Sequence, residues 1–292
     1  MQKPTVKHWL LLLLLGGIWG SSFKLISVST LAFSPTEVGT LRLLIAMLAF
    51  LPVTFIYRRQ IDWSKWPTLL AVGALGSAFP FILFPFAEQH IDSSVAGILN
   101  SLTPVFTLVW GVLFFGKALQ WRKVLGVSMG LIGATAIIMT RPPVEQTVHT
   151  ENIYGLFIVL ATICYGLTAN LVSSRLSNMN GLTINAAAYA LVSGPSWIYL
   201  FSTDVTTDVT THPEGITSLC AVLTLGLLGT FLASIIYFKL ILEAGALFGS
   251  MVAFLMALVS LFVGAYFGEP LSAVHFVSAA LILSGIYAIS KG

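Results

Sequence analysis

The sequence predicts an all-α integral membrane protein of ten transmembrane helices, arranged as two inverted five-helix repeats with both termini cytoplasmic. Three observations predict it. Of 292 residues, 57% are hydrophobic and only 9% charged, against about 25% charged in a soluble chain. Apolar runs of about 20 residues, enough to cross a bilayer core of roughly 30 Å, recur along the whole length. A short turn also occurs twice. Phe115-Gly116-Lys117-Ala118-Leu119 is answered 152 residues later by Phe267-Gly268-Glu269-Pro270-Leu271. At that offset Gly97 falls on Gly249, Gly133 on Gly285, Ala136 on Ala288 and Ile137 on Ile289.

In order, spans are expected at 8–29, 35–57, 66–88, 92–115, 121–140, 152–174, 182–202, 217–241, 244–267 and 271–290. Lys3 and Lys7 precede the apolar run from Trp9 to Ile18. No convincing small-x-small cleavage site follows it, and more spans come after it, so it reads as an uncleaved first span. Ser34-Pro35 opens the second span. Arg58-Arg59 through Trp66-Pro67, His90-Ile91-Asp92, Gly116-Lys117 and Arg141-Pro142-Pro143 mark later breaks. In the second half, breaks fall at Asn178 to Gly181, Ser202 to Gly215, Glu243 to Gly245 and Gly268 to Pro270. The low-complexity tract from Thr203 to Gly215 is expected as a solvated loop. The division is 1–141 for the first repeat, 142–151 for an external linker and 152–292 for the second repeat.

The basic residues orient the chain. With the N-terminus cytoplasmic, Lys3, Lys7, Arg58, Arg59, Lys65, Lys117, Arg122, Lys123, Arg175, Lys239 and Lys291 lie inside, and only Arg141 outside. Lys24 and Arg42 fall within spans. A net charge of +3 spread over short loops argues against nucleic acid. Five spans per half is odd, so the halves take opposite orientations, and such repeats are a transporter signature. The expected surroundings are the lipid bilayer of an inner (plasma) membrane. The expected partner is a small-molecule metabolite, and a homodimer is compatible with the pattern.

Mid-span residues are the candidates for the substrate path. Asn100, Thr103 and Thr107, at i, i+3 and i+7, share one helix face, and such a face avoids lipid. Pro104 removes a donor and frees a carbonyl one turn back, near Asn100. Trp19 and Tyr165, each followed by glycine, sit deep, away from the interfacial belt, and read as an aromatic wall. Ser22 and Asn170 lie near them. Phe79 and Met256 are at the same depth on spans 3 and 9. The competing reading is hydrogen bonding and packing between helices with no ligand involved. Lys24, roughly 7 Å from the outer end, and Arg42, roughly 10 Å in, are shallow enough to snorkel outward. Arg42 is expected to pair with Glu37 or Glu88, and a second role for it is to hold an anionic substrate group. Gly126 and Gly130, and Gly245 and Gly249, read as sites of close helix packing.

What is missing also constrains function. No Asp or Glu lies at mid-membrane depth, which argues against a proton-exchanging drug pump, with Glu88 a shallow candidate at most. There is no His-Glu-x-x-His and no Gly-x-Ser-x-Gly at membrane depth, and all five histidines lie near span ends or in loops. No enzyme activity, cofactor or metal is expected, and Cys164 and Cys220 read as packing residues.

Several stretches together resemble the drug/metabolite transporter superfamily, EamA type, over nearly the whole chain. They are Trp19-Gly20-Ser21-Ser22-Phe23, Ser34-Pro35 followed by Leu41-Arg42-Leu43-Leu44-Ile45-Ala46, Leu102-Thr103-Pro104-Val105-Phe106, and the paired Phe-Gly turns. The resemblance implies a ten-helix transporter of small metabolites with a central cavity lined mainly by spans 1, 3, 4, 6, 8 and 9. Two departures stand out. Lys117 occupies a turn position where the family usually carries Glu, which is read as a changed surface contact. Pro104 has no partner in span 9, where the offset lands on Met256, so span 4 is read as the one able to bend. The expected function is a secondary transporter, in the export direction, of small polar or zwitterionic metabolites such as amino acids or amines. A multidrug or quaternary-amine transporter of the same fold is the alternative. A polytopic enzyme or a channel is the alternative from another class.

Overall fold

The first helix starts where Thr5 ends the extended chain: its N–H donates to Nδ1 of His8, closing the first turn of α1 (Val6–Ser29). The second starts on Ser34, whose hydroxyl accepts from the Glu37 N–H while the Glu37 carboxylate accepts from the Ser34 N–H at 2.7 Å, with Pro35 in the first turn of α2 (Pro35–Ile56). Glu37 is therefore occupied as a cap and is not a partner of Arg42, correcting one of the two expected pairings.

The computed structural model describes residues 4–91, 93–139, 152–266 and 272–291. The linker 142–151, Arg141 and the second Phe-Gly turn lie outside them. After α2 come α3 (Trp63–Glu88) and α4, in pieces Ser93–Asn100 and Thr103–Phe115. Next are α5 (Trp121–Met139), α6 (Gly155–Arg175) and α7 (Gly181–Val192), which Gly194–Phe201 continues beyond Ser193. The last are α8 (Gly215–Ala244), α9, in pieces Ala246–Ser250 and Val252–Tyr266, and α10 (Ala273–Ser290). There is no strand among the described residues. Seven of these helices, α1, α2, α3, α4, α6, α8 and α10, are long and apolar enough to cross a membrane. The tract after Ser202 is not wholly loop: Val205–Thr211 forms a short helix.

Both α3 and α8 contain a π-helical stretch, Ala74–Ala78 and Leu225–Leu232. Such stretches insert a residue and shift the helix face beyond them. Both α4 and α9 are broken, α4 at Ser101 and Leu102 and α9 at Met251. The expectation that only span 4 bends is thus corrected. Pro104 marks the first break, whereas α9 interrupts its hydrogen-bond ladder at Met251 without a proline.

The intimate helix pairs include α5 with α10, α4 with α6, α1 with α8, α3 with α6, α1 with α9, α2 with α7, α2 with α8 and α3 with α7. Exchanging α1–α5 with α6–α10 turns this set into itself. The glycines beside the two deep aromatics show the same correspondence. A Cβ on Gly166 of α6 would lie 2.7 Å from the Thr107 backbone nitrogen on α4, and one on Gly20 of α1 would lie 3.2 Å from Val259 on α9. Large apolar side chains face outward along many helices, among them Leu10, Phe55, Leu113, Phe114, Phe276 and Val277. An apolar belt of this extent belongs against lipid.

Candidate functional site

The π stretch of α8 leaves its Gly229 carbonyl facing α1, where the Trp19 indole N–H donates to it at 2.8 Å. The Trp19 ring stands edge-on to Tyr237, centroids 5.1 Å apart. These residues form part of the wall of a central cavity with about 960 Å³ of empty space, its mouth included. Trp19, Ser22 and Phe23 of α1, Arg42 of α2, and Ser77, Pro80, Phe81 and Phe84 of α3 line it. The lining also includes Asn100 and Thr103 of α4, Tyr165 and Thr168 of α6, Tyr189 of α7, Thr230, Ser234 and Tyr237 of α8, and Met256 of α9. Helices from both halves of the chain build it.

Hydrogen bonds hold much of this wall in place. Asn100 donates from Nδ2 toward Met256 Sδ at 3.5 Å, joining α4 to α9. The Thr103 hydroxyl donates to the Asn100 carbonyl at 2.8 Å, so the group expected to be freed by Pro104 is satisfied by its own helix. The Ser77 hydroxyl and the Tyr189 hydroxyl meet at 2.9 Å between α3 and α7, and Tyr189 stacks on Phe50. Tyr165 lies beside Phe84, ring centroids 6.1 Å apart.

Arg42 is the cavity's basic side chain among the described residues, and no acidic side chain lines it. Its burial corrects the reading of an outward-snorkelling residue: it is 6% exposed. Its guanidinium lies 4.1 Å from the Phe81 ring centroid, and Nη2 is 3.5 Å from the Thr230 hydroxyl. Depth alone misses this, because α2 turns the Arg42 face inward toward α3 and α8.

The structure brings Trp19, Ser22, Asn100, Thr103, Tyr165 and Met256 to one cavity and leaves other candidates outside it. Phe79 is 55% exposed and belongs to the outer belt, because the π stretch before it rotates it away. Lys24 is exposed, Pro104 is buried behind Thr103, and Glu88 is half-buried near the end of α3. Asn170 is fully buried elsewhere: Nδ2 donates to the carbonyls of Thr107 and Gly166, each at 2.9 Å, and Oδ1 accepts from Lys117 Nζ at 2.9 Å. Lys117 also donates to the Ser173 hydroxyl at 3.1 Å. It is therefore an interhelical tie, not the surface contact expected. Burial, and then the charge of Lys123, hold its ammonium below the usual lysine range.

Asn170 and Lys117 line a second cavity of about 920 Å³ empty space, together with Thr107, Gly111, Lys123, Phe248 and Lys291. Thr103 faces the first cavity and Thr107 the second, so one turn of α4 separates them. Sequence reasoning missed Ser77, Thr168, Tyr189, Ser234 and Tyr237. The one available signal was the excess of hydroxyl groups within otherwise apolar runs.

A family model described as the EamA-like transporter family matches residues 7–139 and again 152–291. An uncharacterized transporter of Archaeoglobus fulgidus is 27% identical over 288 residues, 98% of this chain and 99% of its own. The threonine/homoserine exporter RhtA of Salmonella typhimurium is 29% identical over 108 residues, 35% of this chain and 37% of its own. A solved crystal structure shares the fold, with a TM-score of 0.71 at 17% identity, covering 98% of this chain and 97% of its own.

Proposed function

This chain belongs to the EamA-like transporter family, and from that premise we propose that it is a secondary carrier exporting small zwitterionic metabolites, amino acids foremost, by alternating access. The central cavity carries this reading. It is lined by helices of both halves, walled by aromatic rings and neutral hydroxyls, and has one basic side chain, Arg42, among the described residues. Such a site suits a small amphoteric molecule better than a quaternary amine, whose fixed charge Arg42 would repel. The partial match to an exporter of threonine and homoserine agrees with that class.

Ten spans in two inverted repeats, 1–141 and 152–292, complete the proposal. It requires α5, α7 and α9 to cross the membrane along with the seven longer helices, and both termini to be cytoplasmic in an inner membrane. The double family match supports the duplication, as does the set of helix pairs that exchange of the halves leaves unchanged. The excess of Lys and Arg on one side supports the orientation.

The test is counterflow in proteoliposomes preloaded with unlabelled amino acid, following labelled amino acid outside. Uptake that requires the preload, saturates, and is lost in Asn100→Ala is expected. Absence of counterflow across a panel of amino acids and amines refutes the carrier reading. Flux that never saturates points to a pore.

A further inference from the structure

We infer that Arg42 is the docking point for a carboxylate of the transported molecule. This rests on the carrier reading and names the chemistry that its site selects. A guanidinium presents five N–H donors in a rigid plane. Side-on, Nε and Nη2 form a two-pronged edge that matches the two oxygens of a carboxylate. In this cavity the Nη2 end of that edge is held loosely by Thr230 at 3.5 Å, the outer limit of a hydrogen bond. The Nε end is buried with no hydrogen-bond partner. Phe81 packs against the guanidinium at 4.1 Å and restrains its plane, so the edge is oriented before any ligand arrives.

The charge balance points the same way. Among the described residues no carboxylate lies within 4.0 Å of Arg42, and none lines the cavity. Glu88 attracts Arg42 from beyond that range. A buried cation without a close counter-charge is costly, and a ligand carboxylate supplies that charge. One arginine with no second base in the lining fits a mono-anionic group better than a phosphate, which wants several donors of positive charge. Across the cavity, Thr168 Oγ1 is a second buried polar atom without a hydrogen-bond partner. The ammonium end of an amino acid would then meet hydroxyls and aromatic faces, with no fixed anion to hold it.

The experiment compares molecules that differ at one group: phenylalanine, phenylalaninamide and phenylethylamine, and the same three forms of leucine. Binding is read as a shift of thermal unfolding of the purified protein, and transport as competition in counterflow, for wild type, Arg42→Gln and Arg42→Lys. In wild type each acid is expected to bind at least tenfold more tightly than its amide or amine. Arg42→Gln is expected to abolish that preference while moving the amide's affinity less than threefold, and Arg42→Lys to keep part of it. An amide or amine that binds wild type as tightly as its acid overturns the inference, with no variant needed. So does a glutamine variant that weakens acid, amide and amine equally, because that marks a structural role. Acid-selective binding without counterflow overturns the carrier reading alone, and counterflow without acid preference overturns the Arg42 assignment alone. Failure of both acids to bind at all overturns it too.

Discussion

Replacing Trp19 by Phe keeps an aromatic ring in the cavity wall and deletes one donor. The indole N–H reaches the Gly229 carbonyl at 2.8 Å, and Gly229 is buried within the π stretch of α8. Losing a hydrogen bond costs about 0.5–1.5 kcal/mol, and a carbonyl left buried without a partner raises the cost to about 1–3 kcal/mol. For a chain of this size, 1 kcal/mol moves the unfolding midpoint by about 2–4 °C. Trp19→Phe should therefore lower the midpoint by about 2–12 °C, measured by thermal unfolding of the purified protein followed by size-exclusion chromatography. Apparent substrate affinity in counterflow should change less than threefold, since the ring remains. A midpoint within 1 °C of wild type would refute the reasoning. It would mean that the Gly229 carbonyl finds another partner, and that Trp19 serves only as a wall.

Five other substitutions follow from the contacts. Gly126→Ala places a Cβ 2.6 Å from the Gly285 carbonyl oxygen across the α5–α10 contact, where backbone cannot yield, and should destabilise by about 1–3 kcal/mol. Gly17→Ala, with nothing within 4 Å of its Cβ, serves as the neutral comparison. His8 is buried, accepts from the Thr5 N–H and bonds Glu243 at 3.0 Å, whereas Lys7, bound to the same carboxylate, is 57% exposed. His8→Ala should cost about 1–3 kcal/mol in thermal unfolding, and Lys7→Ala no more than about 1 kcal/mol. The Lys117 ammonium is held below its usual range in the folded protein, so the unfolded chain binds the extra proton over the interval from the folded pKa up to 10.5. Stability should rise with pH across that interval in wild type, and the rise should be smaller in Lys117→Met. Parallel melting curves for the two from pH 8 to 10.5 would count against it.

The membrane class, the helix positions and part of the cavity wall were legible because each depends on a quantity that sequence carries directly. Run length and hydropathy locate helices, and distance from a span end locates depth. Trp19, Asn100, Thr103, Tyr165 and Met256 were found by depth and face. Depth failed where it had to stand in for direction. Arg42 is about as far from its helix end as expected, but its face turns between Phe81 and Thr230. Phe79 and Ser77 trade roles because the π stretch Ala74–Ala78 rotates the helix beyond it, and no apolar pattern announces a single inserted residue. Asn170 has the composition of a ligand contact, yet the Thr107 carbonyl and Lys117 satisfy it first. Which neighbour reaches a polar group first is a property of packing, and one sequence does not contain it.

The interruptions in the backbone suggest where an alternating-access motion would be least costly. A helix bends most easily where its ladder of hydrogen bonds is already incomplete. Here the interruptions fall in the third and fourth helices of each half, and all four border the central cavity. Asn100 ends the first piece of α4, Met256 follows the break in α9, and the two side chains meet in the cavity wall. Beyond them, one turn of α4 with Thr107 at its end separates the central cavity from the lysine-lined one. Asn170 and Lys117 tie that turn to α6. Opening a path between the cavities requires breaking those ties and moving the second piece of α4, which the break at Ser101 and Leu102 permits without unwinding a continuous helix. The lysine at the Phe-Gly turn then has a mechanical meaning. In such a motion it would hold one side of the path through neutral acceptors, and ties from one charge to neutral groups exchange with water more readily than a buried ion pair would.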